Sequence, residues 1–200
     1  MFRCPALLGA ILALGLPLAA HAEAAAGAMP AALASGTANA PVKALDLDRY
    51  AGRWHEVARL PMFFQRKCIG DTTATYISRA DGSIEVRNAC RTDDGMIEST
   101  GAARRASDGG ALEVRFAPGW LGWLGWLPMV WADYWVVDLD PDYRWAVVGG
   151  PGQGAMWILA RETTLDPALF ERIRQRAEAR GYRLAELVVD PAQRDRMAAE

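Results

Sequence analysis

Histidine is nearly absent. The 200 residues contain two, and His21 lies in a segment expected to be removed, so His55 is the only one in the mature chain. A multi-histidine zinc site is thereby excluded, and at most one imidazole is left to serve a serine or cysteine nucleophile. No Gly-x-Ser-x-Gly elbow occurs either. Blocks of one charge are missing too: 22 basic and 24 acidic side chains are well mixed, with a formal charge of −2, so nothing tracks a phosphate backbone and nucleic acid is not expected as a partner. The run Gly149 to Gly154 has no Lys-Ser/Thr behind it and leads into a strand, which makes it a hairpin turn rather than a phosphate cradle. Asp138, Asp140 and Asp142 have calcium-like spacing, but the twelfth position of such a loop is Gly149 instead of Glu, so a turn is expected. No metal and no cofactor are expected.

Long hydrophobic runs are also lacking. The N-terminal run, Ala6 to Ala20, covers about 15 residues, short for a membrane span. It follows Arg3 and precedes Ala20-His21-Ala22, the small-x-small form of a signal-peptidase site, so residues 1–22 read as a signal peptide. Cys4 precedes the run and is not placed to be a lipidated cysteine. Residues 23–43, rich in Ala, Gly and Pro, offer little to bury and read as a flexible leader. The domain is expected over 44–191, with a tail at 192–200, and export places it in the periplasm.

What is present is a series of short alternating runs rich in Val, Thr, Ile and aromatics. They cover 53–60, 71–79, 83–91, 96–106, 111–116, 131–139, 143–149 and 155–161. Eight strands with short connections predict an all-β, antiparallel up-and-down meander, closed into a β-barrel that leaves no edges and holds one small ligand. Asp166-Pro167 then opens a helical period that ends before Gly181, one α-helix to be packed outside the barrel. The three-residue loop Ala80-Asp81-Gly82 pairs Arg79 with Ser83, which sets Tyr76 opposite Val86 and Thr72 opposite Cys90. Cys68 and Cys90, an even pair in an exported protein, are expected to form a disulfide; two buried thiols are the alternative.

Three stretches carry a resemblance. "LDLDRYAGRWHEVARLP" holds Gly52-Arg53-Trp54 in a Gly-x-Trp arrangement, "DLDPDYRWAVV" lies at the sixth-to-seventh turn, and "WILAR" ends in Arg161. In this order, from Leu45 to about Val189, the chain resembles the lipocalins, most closely the bacterial ones related to apolipoprotein D. The resemblance implies a barrel that binds fatty acids and lysophospholipids rather than an enzyme. It departs from the family in placing His55 where Tyr is usual, in lacking the lipidation cysteine, and in an unusually apolar Trp/Gly loop. A floor of Gly52, Trp54 and Arg161 is expected, with Arg161 plugging it against the indole.

With the floor at that end, the first, third, fifth and seventh connections lie at the open mouth. The fifth lies within "FAPGWLGWLGWLPMVWADYW", residues 116–135, a stretch with five of the eight tryptophans. Trp120, Trp123 and Trp126 are expected to form an entrance lip beside Phe63 and Phe64. That lip rests on a membrane surface, pairs two copies mouth to mouth as a homodimer, or folds over the cavity; packing of the rings among themselves is the alternative. Ligand contacts are assigned to Phe63, Phe64, Tyr76, Val86, Val114, Phe116, Trp131, Trp135 and Trp157. The expected function is lipid carriage or storage in the envelope, peripheral to the outer membrane. A lipid-modifying enzyme using Glu56 and a structural envelope protein are the alternatives.

Overall fold

The computed structural model describes residues 38–107, 109–116 and 131–199. The expected signal peptide and most of the leader, and Trp120, Trp123 and Trp126, lie outside the described residues. A short helix α1 (Leu47–Tyr50) precedes β1 (Gly52–Arg59); its start is set by Asp46, whose carboxylate accepts from the amides of Asp48 and Arg49. After a 3₁₀ turn (Phe63–Gln65) come β2 (Gly70–Ser78), β3 (Ile84–Thr92), β4 (Gly95–Arg105), β5 (Ala111–Arg115), β6 (Ala132–Leu139), β7 (Trp145–Gly149) and β8 (Met156–Ala160). Each strand pairs antiparallel with the next, and β1 pairs with both β2 and β8, so the eight strands close into a barrel. A ninth, β9 (Val188–Val189), adds to β1 beyond the closure.

The β2–β3 hairpin has the expected register, with Tyr76 opposite Val86 and the amide of Arg79 donating to the Ser83 carbonyl at 2.8 Å. Gly82 supplies the positive φ of +80° that closes the turn. The register runs on to Thr73 opposite Ala89 and then shifts between Thr73 and Gly70, so the expected Thr72–Cys90 pair falls within an irregularity. Cys68 and Cys90 are nevertheless disulfide-bonded, tying the β1–β2 connection to β3 across 22 residues of sequence. A closed loop of this length contributes about 3 kcal/mol by restricting the unfolded chain.

Buried residues form two clusters on opposite faces of the wall. Leu45, Tyr50, Trp54, Tyr76, Ile84, Val86, Leu112, Val136 and Leu159 fill the lower interior. Val57, Trp145, Val147 and Ile158 pack with Phe170, Ile173 and Ala177 of α2 (Pro167–Ala179). The faces separate because a bulge between Glu56 and Ala58 sends Val57 and Ala58 to the second cluster while Arg59, opposite Trp157, stays on the inner side.

Residues on both sides of the expected 44–191 span pack against it. Residues 39–43 were assigned to a flexible leader, yet the amide of Val42 donates to Val136, its carbonyl accepts from Gly110 at 2.8 Å, and Asn39 reaches the Gly150 carbonyl. A Cβ on Gly109 would stand 2.5 Å from the Val42 carbonyl, so the backbone crosses there because glycine leaves room. The expected tail at 192–200 contains most of a helix, α3 (Pro191–Ala198), whose start is capped by Asp190. Its Gln193 is fully buried and grips Leu165 twice, accepting from the amide at 2.7 Å and donating to the carbonyl at 3.1 Å. Pairing of both ends of the amide offsets the cost of burying it, which lets a segment of low hydrophobicity dock.

Candidate functional site

The closed end is built around Arg161. Its guanidinium lies 3.8 Å from the centre of the Trp54 ring and donates to the carbonyls of Arg53, Arg49, Tyr50 and Ala51 at 2.7 to 3.2 Å, with Nε reaching Tyr143 at 3.3 Å. Gly52 adopts φ +92° directly below, where a Cβ would meet the Arg161 Nη1 at 3.4 Å. Trp54 is wholly buried and donates from Nε1 to the Tyr50 carbonyl at 2.8 Å. The three residues expected to form the floor are brought together, and one cation neutralises the carbonyls that the end of α1 leaves without helical partners.

Above the floor three phenols meet across the interior. Tyr134 on β6 contacts the Tyr50 hydroxyl at 2.8 Å and that of Tyr76 at 2.6 Å. β2 and β6 stand four strands apart in an eight-strand ring, so Tyr76 and Tyr134 reach toward each other from opposite walls. Burial raises all three hydroxyls above the usual phenol range and keeps them protonated.

A second polar group sits nearer the mouth. Glu56 is buried and accepts from Arg59 Nη1 at 2.8 Å and from Gln65 Nε2 at 2.8 Å, while Gln65 Oε1 accepts from Trp157 Nε1 at 2.9 Å. Burial raises the Glu56 carboxyl above the usual range, with Arg59 and Gln65 opposing the shift. Phe64, stacked on Trp157 at 6.5 Å, rides on the same turn, which is therefore fastened to the wall from three sides.

Burial of the inner wall falls midway up, although Thr72, Cys90 and Thr92 nearer the mouth are buried again. Tyr76, Val86, Leu112 and Val136 are buried, but the next inward positions, Ala74, Asn88, Val114 and Tyr134, are half-exposed, and Ala132 is exposed. Trp157 on β8 is half-exposed while Leu159 below it is buried. Side chains that face inward and still meet solvent outline an open interior.

Among the expected ligand contacts, Tyr76, Val86, Val114 and Trp157 lie on this inner wall. Phe63 and Phe64 are 76% and 57% exposed beside the mouth, and Phe116 is 43% exposed with its ring over Gly101. The sixth strand is turned the other way from the expectation. Trp135 packs against the cluster shared with α2, and Trp131 lies under the guanidiniums of Arg104 and Arg115, while Tyr134 and Val136 face inward. Both faces of that strand are apolar, and pairing of Leu112 with Tyr134 decides between them. Asp138 on β6 is bound by Arg176 of α2 at 2.6 Å, whereas Asp140 holds the turn that follows, accepting from the amides of Asp142 and Arg144 and from the Arg144 guanidinium at 2.8 Å, which lowers its carboxyl. His55 has its basicity lowered by partial burial and by Arg53, and its backbone pairs with Ala160 and Thr73. Tyr50, Tyr134, Arg59 and Gln65 are the residues that sequence reasoning missed.

Comparison with known proteins agrees with this geometry. The family model of the lipocalin-like domain matches residues 45–192. The chain is 37% identical over 155 residues to temperature-induced lipocalin-1 of Arabidopsis thaliana, covering 75% of this chain and 81% of that protein. It is 32% identical over 155 residues to the outer membrane lipoprotein Blc of Escherichia coli K12, covering 74% and 79%. Among solved structures, insecticyanin from the tobacco hornworm superposes with a TM-score of 0.56 at 20% identity, covering 75% of this chain and 82% of that one, which is a likeness of fold.

Proposed function

Since the chain belongs to the lipocalin family, whose members bind small hydrophobic ligands, we propose that it carries or stores a lipid, a fatty acid or a lysophospholipid, within the barrel and serves the cell envelope. The observation that carries this reading is the half-exposed inner wall above the tyrosines, apolar at Ala74, Val114 and Trp157. We read the barrel as an up-and-down meander with α2 against its outer wall, leaving the interior to the ligand. The acyl tail lies against Tyr76, Val86, Val114 and Trp157, and Phe63, Phe64 and Phe116 line its entrance. On this reading Tyr134 and Val136, rather than Trp131 and Trp135, supply the ligand contacts of β6. Binding without turnover is the reading favoured by Glu56, the one buried carboxylate singled out in the sequence for catalysis, being committed to Arg59 and Gln65. Mass spectrometry of an organic extract of the purified mature protein is expected to yield fatty acids or lysophospholipids in near-stoichiometric amount; extracts without lipid, from protein that also takes none up, would refute the reading.

Trp120, Trp123 and Trp126 are proposed as a lip that places the mouth on lipid. A three-residue interval is one that a 3₁₀-like or irregular loop could align, and the glycines between the tryptophans disfavour an α-helix. Phe63 and Phe64, exposed on the β1–β2 connection at the same end of the barrel, are read as a second apolar part of the mouth. Replacing the three tryptophans by Ser is expected to weaken liposome association and slow lipid uptake while thermal stability stays nearly unchanged. A large loss of stability with unchanged liposome binding would show instead that the rings are internal packing.

A further inference from the structure

The three phenols at the base of the interior do not balance as hydrogen-bonding groups. Tyr50, Tyr76 and Tyr134 carry one hydroxyl hydrogen each, and among the described residues they make two contacts, both through the Tyr134 oxygen. Whichever way the hydrogens point, two contacts consume two of them and one O–H has no acceptor. The cluster is not sealed off. Tyr50 and Tyr76 are 1% and 4% exposed, whereas Tyr134 keeps partial exposure although its hydroxyl lies between theirs. The neighbouring inward positions toward the mouth, Ala74 and Ala132, carry small side chains, so the face of the cluster turned to the mouth is the one left open. A purely apolar ligand pressed against it would bury an O–H without a partner, at a net cost.

We propose that the hydroxyls of Tyr50, Tyr76 and Tyr134 form a recognition point at the inner end of the barrel, taking an uncharged hydrogen-bond acceptor, the carbonyl oxygen of a ketone or ester, from the buried end of an apolar ligand. The proposal rests on the interior being the ligand site and adds which chemistry its deep end selects. An ionised carboxylate does not suit this position. The electrostatic neighbours of Tyr134 are the two other phenols, and the floor cation Arg161, whose charge reaches Tyr50, has its donors taken by five backbone carbonyls and its face by Trp54, so none is free to pair with a ligand carboxylate. A buried anion without a counter-charge is far costlier than a neutral carbonyl. A neutral acceptor matches a neutral donor that stays protonated because burial holds its proton. Ligands therefore enter with a carbonyl leading, or with an apolar tail that leaves the donor unpaired and binds less tightly.

The test titrates the full mature chain, stripped of lipid, with two probes of matched size, undecan-2-one and dodecane, following tryptophan fluorescence. The ketone is expected to bind about tenfold more tightly. In the triple variant Tyr50→Phe/Tyr76→Phe/Tyr134→Phe, which removes all three hydroxyls and keeps the rings, the two probes are expected to bind alike. The infrared carbonyl stretch of ¹³C-labelled ketone on the unaltered protein should shift to lower frequency on binding, and this readout stands even if the variant does not fold. Equal affinities in the unaltered protein, or an unshifted carbonyl band, would overturn the proposed site while leaving the interior as a binding cavity. Failure of both probes to bind would overturn the interior reading on which the site rests.

Discussion

Arg161→Ala is expected to lower the unfolding free energy by about 3–5 kcal/mol, measured by urea denaturation. The side chain donates to five carbonyls and covers the Trp54 ring. Hydrogen bonds from a charged donor are worth about 1.5–3 kcal/mol each, and truncation leaves the acceptors of the α1 end without a partner. The sum falls short of simple addition because part of the group meets solvent, where water replaces some of what is lost. Arg161→Lys should recover only a minor share, since an ammonium has no planar fork to span the carbonyls of Arg49, Tyr50, Ala51 and Arg53 while stacking on an indole. A loss below 1 kcal/mol in the alanine variant would show that the floor is held by Trp54 and α1 without the cation.

The second large effect is alkaline. Tyr50 and Tyr76 are buried, and both have hydroxyls raised well above the usual phenol value of about 10. The folded protein thus keeps protons that the unfolded chain releases. Stability is full below pH 10 and is lost as pH rises beyond it, since the unfolded state binds fewer protons there. Two such groups give a slope of about 3 kcal/mol per pH unit, and Tyr134 steepens it in the same direction. Urea midpoints measured from pH 9 to 11 should fall accordingly, with tyrosinate absorbance of these residues appearing only on unfolding. In Tyr50→Phe/Tyr76→Phe the slope should flatten. Tyrosinate absorbance from all five tyrosines at pH 10.5 in folded protein would contradict the description of the interior as a buried phenol cluster.

Strand positions were legible because the barrel wall writes a two-residue period into the sequence, and turns such as Ala80-Asp81-Gly82 fix register chemically. The floor was legible because Gly52, Trp54 and Arg161 occupy recognisable stretches. The sixth strand was misread because period two names two faces without saying which is inward. Trp131, Trp135 and Val137 make one apolar face, Ala132, Tyr134 and Val136 the other, and the pairing of Leu112 with Tyr134 settles it through a contact 22 residues away. Bulges add a second blind spot, since the irregularity after Glu56 moves Val57 to the cluster shared with α2. The phenol cluster and the Glu56–Gln65–Trp157 chain join side chains that are 9 to 92 residues apart. No local pattern announces such meetings. The C-terminal helix went unread for a related reason: it docks through one satisfied glutamine rather than through an apolar stripe.

The central claim is that an acyl chain occupies the barrel interior above the floor built around Arg161. The most direct measurement is a pair of dissociation constants, for lysophospholipids with C8 and C16 chains, from quenching of tryptophan fluorescence in protein stripped of lipid. Each buried CH₂ contributes about 0.8 kcal/mol as an upper estimate, so the C16 lipid is expected to bind orders of magnitude more tightly than the C8 lipid. Equal dissociation constants for the two chains would contradict the account.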